Sequence, residues 1–333
     1  MKKSKSIPTI ITIVLIVCIF FNIDFEQLVQ TFKLLDTKIF LILVPIYLLT
    51  MFIRGYRWKC LIPKHKNLSV KKLSELYITG ATLNILLPAR AGDFFRAWFA
   101  GKKYNRNKLE IFASVIAERM FDGLSVVSIL IISMLLYKKT PIIMELSAFG
   151  ALIFGGSLVF VYLLLKLNKT DQLCNIIKKC LFLMRKENQE NICSLIDKIN
   201  KQINHFIVGF NQLLSLKSLT QTIICSAAIW LIECYMTYLL IYAFGFKLGF
   251  SASLFAVCFI ALATIIPSTS IYVGPYQYAF ILALGMYGIS KSSALAIAFT
   301  QQTLTLLSML LFSIVFLIEN KISFSEIKKH STQ

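Results

Sequence analysis

Long apolar runs recur from one end of the chain to the other, and no water-soluble core could bury them all. They cover residues 7–21, 39–53, 73–87, 111–137, 142–165, 220–243, 251–266, 276–287 and 294–318, and charged residues are almost confined to the stretches between them. A helical membrane crossing needs about 20 apolar residues, so the expected fold class is an all-α polytopic membrane protein. Composition agrees. Of 333 residues 57% are hydrophobic and 15% charged, whereas a soluble domain carries about 25% charged residues. The excess of 35 Lys+Arg over 16 Asp+Glu does not indicate nucleic acid as a partner, because the bases lie between apolar runs rather than on one polar face.

The same bases set an expected topology, since cytosolic loops of membrane proteins accumulate Lys and Arg. Lys2, Lys3 and Lys5 precede the run at 7–21 in the manner of a signal peptide. No small-residue cleavage site follows Phe20, Phe21 and Asn22, so an uncleaved first helix leaving the cytosol is expected. Seven bases without an acid, from Arg54 to Lys72, mark a cytosolic loop after the run at 39–53. In that reading Arg54, Arg57 and Trp58 are an anchor at the membrane boundary. The run at 73–87 is short, contains Glu75, ends before Pro88 and has basic residues on both sides. A single crossing would violate the charge bias, so residues 73–100 read as a re-entrant hairpin on the cytosolic side. Residues 251–266 and 276–287, separated by Pro267, Gly274 and Pro275, read as a second one entering from outside. Cytosolic segments then hold 28 of the 35 bases, both termini lie inside a plasma membrane, and Arg119 is intramembrane.

The expected layout is one transmembrane domain over 1–333. It comprises a first helix and external loop at 1–38, a first repeat at 39–137, a connecting span and cytosolic segment at 138–218, a second repeat at 219–318 and a tail at 319–333. About six full spans and two hairpins make an inverted-topology repeat, the kind in which broken helices meet near the midplane of a transporter. Within 166–217, where nine bases face four acids, apolar residues from Ile192 to Leu214 recur at three- and four-residue steps, the pattern of an amphipathic surface helix. The eight cysteines include no CxxC pair, and His65, His205 and His330 are scattered. Free thiols, no metal and no cofactor are therefore expected.

The stretch from Asn84 through Pro88, Arg90, Gly92 and Asp93 to Arg96, followed by Glu118, Arg119 and Asp122, places three cations and three acids at or within the membrane. Ionisable groups there are costly and serve a function or pair with one another. Pro88 and Gly92 interrupt the helix, and paired guanidinium groups suit a phosphate. The same residues also fit a solvated hairpin tip and a structural Glu118–Arg119 ion pair. Glu233 either pairs with a cation of the first repeat or faces a wet cavity. Tyr272, Gly274, Tyr276 and Gln277 are candidates at the second hairpin, although Tyr is equally a residue of the aromatic belt.

This pattern resembles the transmembrane domain of lysylphosphatidylglycerol synthases, the flippase-like, YbhN-type membrane family, over nearly the whole chain. There an Asn, Pro, Arg, Gly, acid, Arg string precedes Glu-Arg and a later Asp, and Arg54-Gly-Tyr-Arg57-Trp58 has its counterpart. The chain departs at the second hairpin, where Ser270 and Ile271 replace a usual Pro-Gly and Gln277 replaces a usual acid. The resemblance implies movement of a lipid between leaflets, without the soluble aminoacyl-transferase domain. The expected function is thus a flippase for an anionic phospholipid or polyprenyl-phosphate-linked substrate. The alternatives are a membrane enzyme, for which no DxD motif, His cluster or Gly-rich nucleotide loop is present, and a scaffold for envelope-biosynthesis partners or a homo-oligomer.

Overall fold

The computed structural model describes residues 6–21, 23–62, 68–87, 90–136, 141–167, 198, 200–264 and 272–322. Among these every regular element is helical. In chain order they are α1 (Ser6–Phe20), α2 (Phe25–Lys33), α3 (Thr37–Leu61), α4 (Val70–Leu86), α5 (Ala91–Lys103), α6 (Lys108–Leu136), α7 (Pro141–Leu167), α8 (Leu216–Ala243), α9 (Phe250–Ala263), α10 (Pro275–Gly285) and α11 (Lys291–Glu319). A 3₁₀ turn at Asn211–Leu214 precedes α8.

Among the described residues four helices, α3, α6, α8 and α11, are long and apolar enough to cross a membrane, and the pair α1–α2, bent by 80°, would make a fifth as one broken span. Their 25 to 29 residues exceed the roughly 30 Å hydrocarbon layer at 1.5 Å per residue. Large apolar side chains such as Leu49, Leu231, Leu311 and Ile318 stand exposed on them, a surface suited to lipid tails rather than water. Side-chain caps fix several starts. Asp36 Oδ1 accepts from the Lys38 N–H at 2.9 Å and Ser290 Oγ from the Ser293 N–H at 3.2 Å.

One boundary differs from the charge-based reading. α3 does not stop at residue 53 but continues for two further turns to Leu61, carrying Arg54, Arg57 and Trp58 inside the helix. After Pro45, which the helix accommodates, no further proline occurs before Pro63, and Ile62, the residue ahead of that proline, is extended. Arg57 and Trp58 are fully buried, so they are core residues and not a boundary anchor.

α4 ends the same way, with Leu87 extended ahead of Pro88, and α5 then folds back on α4. Gly80 of α4 lies against Gly92 and Arg96, and Asn84 lies against Asp93. α9 and α10 pack on each other likewise.

The packed pairs have an internal order. α3 packs on α8. α4 packs on α3 and α11, while α9 packs on α8 and α6, and α5 sits on α6 as α10 sits on α11. Exchanging α3–α6 for α8–α11, taken in sequence, leaves this set of neighbours unchanged. Of the amphipathic segment only residues 198 and 200–214 are described; 200–208 are helical, with His205 Nδ1 2.9 Å from Glu110 Oε1 of α6. Cys60, Cys225, Cys234 and Cys258 are buried free thiols and Cys18 an exposed one, whereas Cys174, Cys180 and Cys193 lie outside the described residues.

Candidate functional site: an arginine–carboxylate network beside a cavity

Helical spacing concentrates charge at the centre of this packing. Residues three or four apart share a helix face, so Arg54 with Arg57, Asp93 with Arg96, and Glu118 with Asp122 each present two charges in one direction. Four arginines and four acids from α3, α5, α6 and α8 meet there.

Glu118 is the hub. Its Oε1 accepts from Arg57 Nη2 at 3.2 Å and Arg119 Nη2 at 2.8 Å, and its Oε2 accepts from Arg96 Nη1 at 3.2 Å. Asp122 Oδ1 accepts from Arg57 Nη1 at 2.8 Å, and Arg57 Nη1 also reaches Ser226 Oγ at 2.9 Å. Arg96 donates to Asp93 Oδ1 at 2.8 Å and its guanidinium carbon lies 4.4 Å from the Tyr77 ring centre and 4.9 Å from that of Trp58. Stacking between two aromatic faces suits a desolvated guanidinium. Asn84 donates to Asp93 Oδ1 and accepts from the Asp93 N–H, both at 3.1 Å, tying α4 to the start of α5. On the far side Arg54 Nη2 donates to Glu233 Oε1 at 3.1 Å.

A cavity of about 460 Å³ opens beside this network. Arg54, Arg90, Arg119, Asp122 and Glu233 form its charged wall. Tyr272 and Tyr276 of the second broken pair face it together with Gln301, Gln302 and Thr305 of α11, and Val126, Phe154 and Ile260 supply apolar lining. The combination of charged, hydrogen-bonding and apolar lining suits an amphiphile. Among the described residues no three His, Cys, Asp or Glu side chains are placed to hold a metal ion.

Of the residues singled out from the sequence, Arg90, Arg119, Asp122, Glu233 and Tyr272 line the cavity. Asn84, Asp93, Arg96 and Glu118 belong to the buried network behind it, and Gly92 is a packing contact with Gly80. Gln277 is buried one layer back: its Oε1 accepts from the Gly274 N–H at 2.9 Å and its Nε2 donates to Gln302 Oε1 at 2.6 Å. Gly274, at φ +99°, rests against Leu15 of α1. Pro88 lies outside the described residues. Glu233 does pair with a cation of the first half, Arg54, and also lines the cavity.

Sequence reasoning passed over Arg54, Arg57, Trp230, Gln301 and Gln302 as site residues. The signal for the two arginines was the absence of a proline between Arg54 and Leu61 together with two acids, Glu118 and Asp122, in excess of what Arg119 alone can neutralise. The adjacent glutamines in an otherwise apolar helix were the signal for the opposite wall.

The family described as Lysylphosphatidylglycerol synthase TM region matches residues 7–313. The chain belongs to that family. Two relatives resemble it. A protein named UPF0104 membrane protein MJ1078 from Methanocaldococcus jannaschii is 25% identical over 248 residues, which span 72% of this chain and 95% of the relative. Another UPF0104 membrane protein, from Methanothermobacter thermautotrophicus, is also 25% identical over 248 residues, spanning 73% of this chain and 71% of its own length. No solved structure matches significantly. Family and apolar helices together make this lysylphosphatidylglycerol synthase TM-region protein a multi-pass integral membrane protein.

Proposed function

We propose that this protein moves a lipid with an anionic head group between the leaflets of the plasma membrane. The observation that carries this reading is the cavity itself, walled on one side by Arg54, Arg90 and Arg119 and on another by Val126, Phe154 and Ile260. The arginines suit a phosphate and the apolar lining suits the start of an acyl or prenyl chain. α4–α5 and α9–α10 act as re-entrant hairpins from opposite faces, within about six spans whose halves are related as an inverted repeat and whose termini both lie in the cytosol. The neighbour set that survives exchange of the two halves supports that symmetry. Rocking one half against the other would expose the cavity to each leaflet in turn.

The test is translocation of a fluorescent anionic phospholipid in vesicles containing the purified protein. Arg90 lines the cavity outside the ion network, so Arg90→Ala is the informative variant. Losing one hydrogen bond to a charged group costs about 1.5 kcal/mol or more, so translocation is expected to fall at least about tenfold, with Arg90→Lys recovering part of it. Wild-type protein that moves no lipid faster than protein-free vesicles, or a well-folded Arg90→Ala/Arg119→Ala protein that moves it at the wild-type rate, would remove the proposed site.

A further inference from the structure

The cavity wall is electrically unbalanced. Arg54 is matched by Glu233 at 3.1 Å, and Arg119 by Glu118 at 2.8 Å and Asp122 at 3.3 Å. Asp122 is held by Arg57 at 2.8 Å as well. Both acids on the wall therefore face arginines, although Asp122 Oδ2, 3.3 Å from Arg119, makes no hydrogen bond. Arg90 differs from those arginines: it has no ion pair or side-chain hydrogen bond among the described residues, whereas the other wall arginines leave only Nε without a partner. The acid near it in sequence, Asp93, is already taken by Arg96 at 2.8 Å and Asn84 at 3.1 Å.

The opposite wall is neutral. Gln301 spends its Nε2 on Thr237 Oγ1 at 3.1 Å, which leaves its Oε1 buried with no partner and available to a hydroxyl or amide donor. Gln302 is oriented by Gln277, itself fixed by the Gly274 N–H, so both side chains present neutral amides on this side. Two lining residues sit at the breaks. Arg90, at φ +54°, and Tyr272, at φ +51°, both adopt left-handed backbone ahead of their second helices, and both line the cavity. Non-glycine residues persist in that region only where the surroundings impose it, and such positions gather at ligand sites.

We infer that the head group accepted here joins one phosphate anion to an otherwise uncharged, hydroxyl- or amide-bearing group, and that head groups bearing an amine are excluded. The inference rests on the lipid-translocating reading and narrows it. A phosphate takes Arg90, which makes no ion pair among the described residues, and a hydroxyl satisfies the orphaned Gln301 oxygen. An ammonium would meet wall acids that already face arginines, Glu233 at 3.1 Å from Arg54 and Asp122 at 3.3 Å from Arg119, beside the Arg90 guanidinium that repels it.

Binding tests this independently of transport. The full-length protein in a neutral maltoside detergent is titrated with dihexanoyl phosphatidylglycerol, its lysyl ester and dihexanoyl phosphatidylethanolamine, following the tryptophan emission, to which Trp230 on the cavity wall contributes. Phosphatidylglycerol is expected to bind at least about tenfold more tightly than either amine-bearing lipid, and Arg90→Ala to lose that binding. Gln302→Glu is expected to narrow the gap to about threefold or less. Gln277→Glu makes the same test from one layer back if the first variant does not fold.

Equal or tighter wild-type binding of an amine-bearing lipid overturns the inference, as does failure of phosphatidylglycerol to bind or unchanged selectivity in both folded glutamate variants. Selective binding of phosphatidylglycerol by a protein that moves no lipid supports the head-group inference and overturns the translocation reading alone. Binding of chain-free glycerol phosphate as tightly as phosphatidylglycerol also supports the head-group chemistry while removing the lipid.

Discussion

Glu118→Gln is expected to destabilise this protein by about 3–5 kcal/mol, the cost of leaving buried charges without their partner. Glu118 is fully buried and its two oxygens meet three guanidinium groups, those of Arg57, Arg96 and Arg119. Glutamine keeps one acceptor and turns an NH₂ toward donors. Arg57 is fully buried and Arg96 is 1% exposed, so neither can turn to water. Glu233→Gln provides the scale. Glu233 has one arginine partner, both side chains retain some exposure, and the cavity lies alongside, so about 1.5 kcal/mol is expected. The unfolding midpoint of the detergent-solubilised variants, read by tryptophan emission, separates the two. Equal losses would mean that the network is not centred on Glu118.

The difference between those two carboxylates also explains what the sequence could and could not reveal. Apolar length and proline placement were enough to locate α6, α8 and α11 to within a few residues, because a membrane leaves the backbone no option but to satisfy itself within each helix. The α4–α5 break was legible at Pro88 for the same reason. The charges of α3 were not, because Arg54 and Arg57 were counted as topology markers, and a charge count is blind to pairing. Their partners Glu118, Asp122 and Glu233 lie 61 to 179 residues away along the chain. No local pattern announces such a contact. The charged half of the cavity was visible through Arg90, Arg119 and Asp122, which stand out against apolar neighbours. The neutral half was nearly invisible, since Gln301 and Gln302 carry no charge and occupy a helix whose other residues already account for it as a span.

Gly92→Ala is the second large effect, and its sign runs against helix propensity. Within a helix, alanine in place of glycine normally stabilises by about 1 kcal/mol. At Gly92 the added methyl would occupy the space of the Gly80 carbonyl group and approach the Asn84 backbone nitrogen to 2.9 Å. Both obstacles are backbone, so α4 and α5 must separate, and overpacking of this kind costs about 1–3 kcal/mol. Separation also pulls Asp93 from Asn84 and displaces Arg96 from Glu118, which carries the damage into the ion network. A total loss of about 3 kcal/mol or more is expected. Gly156→Ala in α7, where a methyl meets nothing within 4 Å, is expected to be neutral or to gain up to about 1 kcal/mol. Thermal midpoints of the two alanine variants should therefore fall on opposite sides of the wild type or nearly so. A Gly92→Ala protein as stable as Gly156→Ala would show that α4 and α5 do not touch at this crossing, and the placement of Asp93 and Arg96 would fall with it.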